Sequence, residues 1–126
     1  MEPVNKMPQN LEIECAEAAR KIVERVDKKD KKELKSALNS ALAVLEEQGP
    51  YAMMLYLKAR HKKISANIEE PSISLLRKVF ANIDKEKDSF EIFKTLAENL
   101  DGLLFARALL NTVLGYAYYF LKAEED

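Results

Sequence analysis

Histidine, cysteine and paired carboxylates carry most acid–base, nucleophilic and metal chemistry in small proteins, and this chain is sparing with all of them. Its single histidine, His61, stands in the basic run Lys58-Ala59-Arg60-His61-Lys62-Lys63. No carboxylate or cysteine lies there at the spacing that a metal site or a His-assisted nucleophile uses. Cys15, the one cysteine, falls on the apolar side of a helical pattern and reads as a small hydrophobe. Glu46-Glu47 and Glu69-Glu70 are adjacent pairs. On a helix adjacent side chains diverge, so neither pair forms a shared-proton dyad. Gly49, Gly102 and Gly115 are too far apart for a loop that cradles phosphate. These residues predict no catalytic site, no metal site and no cofactor.

The sequence offers basic side chains instead. Lys21, Arg25 and Lys28 recur at helical spacing, and Lys29, Lys31, Lys32 and Lys35 continue the charge beyond them. Lys58, Arg60, Lys62 and Lys63 form a second cluster, and Arg77 with Lys78 a third. A groove lined by such groups binds a phosphate backbone through counterion release, without reading bases. The same residues also have a plainer reading. Glu17 with Lys21, and Arg20 with Glu24, are ordinary i,i+4 pairs, and lysines at a helix C-terminus suit its dipole.

The elements that position these groups are helices. Residues 1–9 carry Pro3 and Pro8 without periodicity and are expected to be a flexible tail, leaving 10–126 as a single domain. Asn10 is expected to cap a first helix that buries Leu11, Cys15, Ala18, Ala19, Ile22 and Val26 and stops near Asp27. Asp30 and Glu33 have the spacing of a capping box for a second helix. That helix buries Leu34, Ala37, Leu38, Ala41, Leu42 and Leu45. Gly49 suits the left-handed position beyond its end, and Pro50 opens the third helix, expected over 51–62.

Residues 64–70 read as a polar connection, with Pro71 opening a fourth helix that shows Ile73, Leu76, Val79, Phe80 and Ile83. A charged loop over 84–88 follows. Ser89 or Asp88 caps a fifth helix bearing Phe90, Phe93, Leu96, Ala97 and Leu100, and Asp101 caps the sixth. The run 103–121 is apolar round the whole helical wheel and long enough to cross a membrane. Arg107, Asn111, Thr112 and Gly115 interrupt it, so it is expected to be a core helix wrapped on all sides. Its tyrosines, Tyr116, Tyr118 and Tyr119, are then inside, and Tyr51 and Tyr56 lie in another largely buried helix. No row of exposed aromatics is expected.

No stretch alternates with period two for long enough to form a strand. The fold class is therefore all-α, a compact single-domain bundle of five to six helices around the hydrophobic C-terminal helix. A chain of 126 residues, 48% hydrophobic and 33% charged, can bury one core. With a net charge of −1 there is no global field for nucleic acid, so any contact must come from local clusters. A lone cysteine and the lack of a basic start followed by an apolar run predict a cytoplasmic protein.

Two stretches together resemble a known family. Gln48-Gly49-Pro50-Tyr51-Ala52-Met53-Met54-Leu55-Tyr56-Leu57 is similar to a signature of the small all-α subunit of the Cmr complex, the type III-B CRISPR RNA-silencing effector. There a helix ends at Asn-Gly and an apolar helix follows. The segment Leu104-Phe105-Ala106-Arg107-Ala108 through Phe120-Leu121-Lys122 resembles the family's last helix. Gln48 stands where Asn is usual, Asn111 falls near an often acidic position, and tyrosines replace a tryptophan. The resemblance implies a non-catalytic subunit that stacks in several copies beside the backbone subunits of the effector complex and lines the channel for guide and target RNA, in antiviral defence.

Head-to-tail stacking needs two unlike surfaces, for which the acidic C-terminus and a basic helix end are one candidate pair. On charge and spacing, the candidate RNA-facing residues are Lys21, Arg25, Lys28, Lys58, Arg60 and Lys62. The alternative is a helical adaptor that binds protein alone, its lysines serving solubility. A helix-turn-helix regulator fits less well, because the helix after Pro50 is too apolar to enter a groove.

Overall fold

The computed structural model describes residues 3–80, 83 and 88–125, with side chains from residue 10 onward. Six α-helices account for nearly all of them: α1 (Pro3–Arg25), α2 (Lys31–Gln48), α3 (Pro50–Arg60), α4 (Lys62–Val79), α5 (Ser89–Ala97) and α6 (Leu100–Glu124). A single 3-10 turn, Lys28–Asp30, leads into α2. No strand occurs among the described residues, and the chain is an all-α bundle. No helix among them is long and apolar enough to cross a membrane.

Helix α6 touches each of the other five, so the bundle is built around it. Its buried residues are Ala106, Leu109, Leu110, Val113, Leu114, Ala117 and Leu121, one stripe at steps of three and four. They share one continuous core with Cys15, Ala19 and Ile22 of α1, Leu34, Leu38 and Leu45 of α2, Met53, Met54 and Leu57 of α3, and Ile64, Ile68 and Leu76 of α4. The expectation that α6 is wrapped on all sides is corrected here. Leu104, Ala108, Asn111 and Tyr119 are exposed and share its opposite face, and Tyr119 keeps 68% of its surface in solvent. The bundle covers α6 on one side only.

Several helix ends differ from expectation. Helix α1 begins at Pro3, so Asn10 lies within it and caps nothing. The Asp30–Glu33 capping box does not form, because Asp30 makes no side-chain cap bond. Both carboxylates are instead drawn to the distant junction of α3 and α4, Asp30 to Lys63 and Glu33 to His61. The connection expected over 64–70 is helix: α4 runs unbroken from Lys62 through Pro71. Proline removes one backbone donor, but Ile64, Ile68, Ile73, Leu75 and Leu76 hold the helix to the core on both sides of it. The hydroxyl of Ser72, next to Pro71, donates to the carbonyl of Ile68 at 2.8 Å.

At the next junction Asp88 caps α5, its Oδ1 accepting from the Glu91 N–H at 3.0 Å. The rest of the charged loop over 84–88 lies outside the described residues. Asn99, not Asp101, caps α6, its Oδ1 accepting from the Gly102 N–H at 3.2 Å. Phe90 and Leu100, expected in the core, are 48% and 66% exposed. Gly49 has φ +103°, a conformation costly for any residue with a Cβ, and its N–H closes the end of α2 on the carbonyls of Val44 and Leu45. Pro50 follows as the first residue of α3.

Candidate functional site

The histidine is engaged on both ring nitrogens. Nδ1 of His61 lies 3.0 Å from Oε2 of Glu33, and Nε2 lies 3.4 Å from the Tyr56 hydroxyl. A carboxylate only accepts, so Nδ1 donates to Glu33, while Nε2 and the Tyr56 hydroxyl share a long contact. Glu33 is 28 residues away in sequence, which is why local spacing gave no sign of it. Beside it Lys63 donates to Oδ1 of Asp30 at 3.2 Å. The two contacts fasten the first turn of α2 to the junction between α3 and α4.

No group of three His, Cys, Asp or Glu among the described residues is placed to hold a metal ion. Cys15 is buried, and its thiol is pushed up to about 11 by burial and by the charges of Glu14 and Glu12. A thiol so far above neutrality is a poor nucleophile.

The candidate basic residues separate into two settings. Lys21 and Arg25 line a cleft between α1 and α4 together with Lys78, but Glu14, Glu17 and Glu70 face the same cleft. Arg25 pairs with Glu70 at 2.9 Å and Lys78 with Glu14 at 2.9 Å. Lys58 reaches Glu69 at 3.7 Å. The adjacent Glu69 and Glu70 therefore diverge as helix geometry requires, each to its own cation. Charges in this cleft balance, and it has little attraction left for an anion.

The other setting is one end of the bundle. The Asp30–Lys63 and Glu33–His61 contacts bring the α3–α4 junction, with Arg60 and Lys62, beside the start of α2, with Lys28, Lys29, Lys31, Lys32 and Lys35. These are parts of the first two clusters of the sequence, far apart along the chain and brought together in the fold, whereas Lys21, Arg25 and Lys58 are not among them. Lys28, Lys29, Lys32, Arg60 and Lys62 are exposed and have no ion-pair partner among the described residues. The acidic C-terminus also meets this end. Glu124 approaches Lys31 at 3.9 Å and Glu125 approaches Lys35 at 2.6 Å. The carboxylates offered as a docking surface for another copy are thus engaged within the chain itself.

The far end of the bundle is apolar. A groove of about 550 Å³ runs between α3, α5 and α6, walled by Tyr51, Leu55, Phe90, Phe93, Leu103 and Leu104, with Lys94 and Arg107 as its only charged lining among the described residues. Leu55, Phe90 and Leu104 are each about half exposed there. Tyr51 and Phe90 meet edge to face with centroids 5.3 Å apart. Arg107 donates to the backbone carbonyl of Glu46, neutralising the negative end of α2. Both stretches that resemble the CRISPR subunit contribute to this groove. A largely buried third helix and an apolar fifth helix give little warning in the sequence that Leu55 and Phe90 are half exposed. The one available signal was that α3 is too uniformly apolar for its 11 residues to bury on every side. Comparison of the chain with family models, with curated proteins and with solved structures gives no match.

Proposed function

We propose that this chain is the non-catalytic small subunit of a type III-B CRISPR RNA-guided RNA-silencing complex. In this reading it stands in several copies beside the backbone subunits in the cytoplasm and contacts guide or target RNA through basic side chains, in antiviral defence. The observation that carries the reading is the exposed groove walled by Leu55, Phe90 and Leu104. The two stretches that resemble the family meet there. Apolar side chains grouped in this way mark a surface that a partner covers. The opposite end of the bundle is basic, so a protein-docking surface and a surface for an anionic polymer lie apart on the molecule. An anionic polymer would be met by the cations that no carboxylate holds: Lys28, Arg60 and Lys62 of the sequence candidates, with Lys29 and Lys32 beside them. Lys21, Arg25 and Lys58 sit among carboxylates and contribute less.

The alternative, a helical adaptor that binds protein alone, is favoured by the same groove and by the balanced charges of the α1–α4 cleft. The two separate in one experiment. The tagged protein is purified gently from its source cell, and co-purifying proteins and RNA are identified with and without nuclease. Short uniform guide RNAs and other CRISPR subunits are expected. Protein partners with no RNA, and no rise in the ratio of absorbance at 260 nm to that at 280 nm, would overturn the reading in favour of the adaptor.

A further inference from the structure

Lys28, Lys31, Lys32 and Lys35 line a cleft of about 630 Å³ between the start of α2 and the end of α6. Among the described residues the acid groups in it are Glu124 and Glu125, which face Lys31 and Lys35. A carboxylate oxygen on a lysine stands where a phosphodiester oxygen stands when lysines bind a nucleic-acid backbone: Glu125 takes a charge-assisted hydrogen bond from Lys35, and Glu124 faces Lys31 as a longer ion pair. Lys28 and Lys32, in the same cleft, have no ion-pair partner among the described residues, so among those residues four lysines face two glutamates there. The hydrogen bond from Lys35 holds the Glu125 carboxyl below the usual carboxylate range and raises the Lys35 ammonium. Both ion pairs are half in solvent on the glutamate side, and exposed pairs of this kind are weak. A polyanion that brings several phosphates at once can displace them.

We infer that this cleft is a binding site for the phosphate backbone of single-stranded RNA, occupied in the free protein by Glu124 and Glu125, which RNA must displace. It rests on the RNA-contacting reading above and adds where the backbone sits and what holds the site closed.

The test is fluorescence anisotropy with a labelled single-stranded oligouridine at low and moderate salt, on the full chain. The variant E124Q/E125Q is expected to bind about fivefold more tightly than wild type, because RNA then has no exposed ion pairs to break. The control E47Q/E98Q removes the same charge from exposed residues elsewhere and is expected to match wild type. The variant K28A/K31A/K32A/K35A is expected to bind more weakly, with the salt slope reduced by about 0.7 for each phosphate that a lysine no longer neutralises. In that background E124Q/E125Q is expected to have no further effect. Equal gains in E124Q/E125Q and E47Q/E98Q would mean that net charge alone acts, and would overturn the site. Binding by wild type with an unchanged salt slope in the lysine variant would also overturn the site while leaving RNA binding intact elsewhere. Binding by none of the proteins at low salt would overturn the RNA-contacting reading itself. All substitutions are on the surface, and circular dichroism melting checks that each variant is folded.

Discussion

The imidazole of His61 at the α3–α4 junction is held by Glu33 of α2, Nδ1 to Oε2, at 3.0 Å. This contact orders the basic end of the bundle, since it sets the junction bearing Arg60, Lys62 and Lys63 against the turn bearing Lys28 to Lys32. Substituting either partner with Ala is expected to destabilise the fold by about 1 kcal/mol, the ordinary net worth of such a hydrogen bond. Urea melts of Glu33→Ala, His61→Ala and the double variant measure the coupling. If the two losses simply add, the pair is a neighbourhood and not an interaction.

At the other end of α2, Gly49 holds φ +103°. A Cβ added there meets nothing within 4 Å, so the cost of a side chain is conformational and not steric. Gly49→Ala is expected to lose about 1–3 kcal/mol, and Gly49→Val, with a branched Cβ, at least as much. Thermal melts decide. A Tm equal to wild type would mean that the turn relaxes to another backbone conformation.

The contrast between these two positions shows what can be read in the sequence. The Gly49-Pro50 junction is legible because it depends on the backbone chemistry of two adjacent residues, and the stripe Leu34, Ala37, Leu38, Ala41, Leu45 is legible because burial repeats with the helix. Pro71 misled, since a proline most often opens a helix, although Ile64 and Ile68, four apart, already carried the helical pattern through the stretch before it. The exposure of Leu104 and Tyr119 had no local sign. A run that is apolar all round says that every face is suited to burial, not which face the bundle leaves open. The carboxylate for His61 lies 28 residues away and the one for Lys35 lies 90 away. Both depend on which helix ends the fold brings together, and this is also why the six candidate cations could be named but not sorted into free and paired.

Cys15 carries a pH prediction. Its thiol is raised from 9.0 to about 11, first by burial and then by Glu14 and Glu12. The unfolded thiol therefore releases its proton at lower pH than the folded one. The stability linked to this group is fully present below pH 9 and is lost as pH rises from there toward 11. At about pH 8 the native thiol is expected to react with a disulfide reagent at least about tenfold more slowly than the denatured thiol. Equal rates would place Cys15 in solvent, against the packing described above.

Helix α6 divides its leucines between two tasks, and the division can be measured. Leu110 is fully buried between the other helices, whereas Leu104 stands half in solvent at the groove, across from the half-exposed Leu55. Leu110→Ala leaves a cavity that the surrounding helices fill only in part, and is expected to cost about 2–5 kcal/mol. Leu104→Asp and Leu55→Asp leave the core packing in place and are expected to change stability by no more than about 0.5 kcal/mol. If the groove is where a neighbouring subunit docks, those aspartates put unpaired charge into the interface, and co-purification with partners is expected to fall sharply while the melting curve stays in place. A loss of stability in the aspartate variants would mean that the groove is closed and belongs to the core. Unchanged stability together with unchanged co-purification would leave the groove as bare surface, and the partner would have to be sought farther along the same exposed face, toward Tyr119.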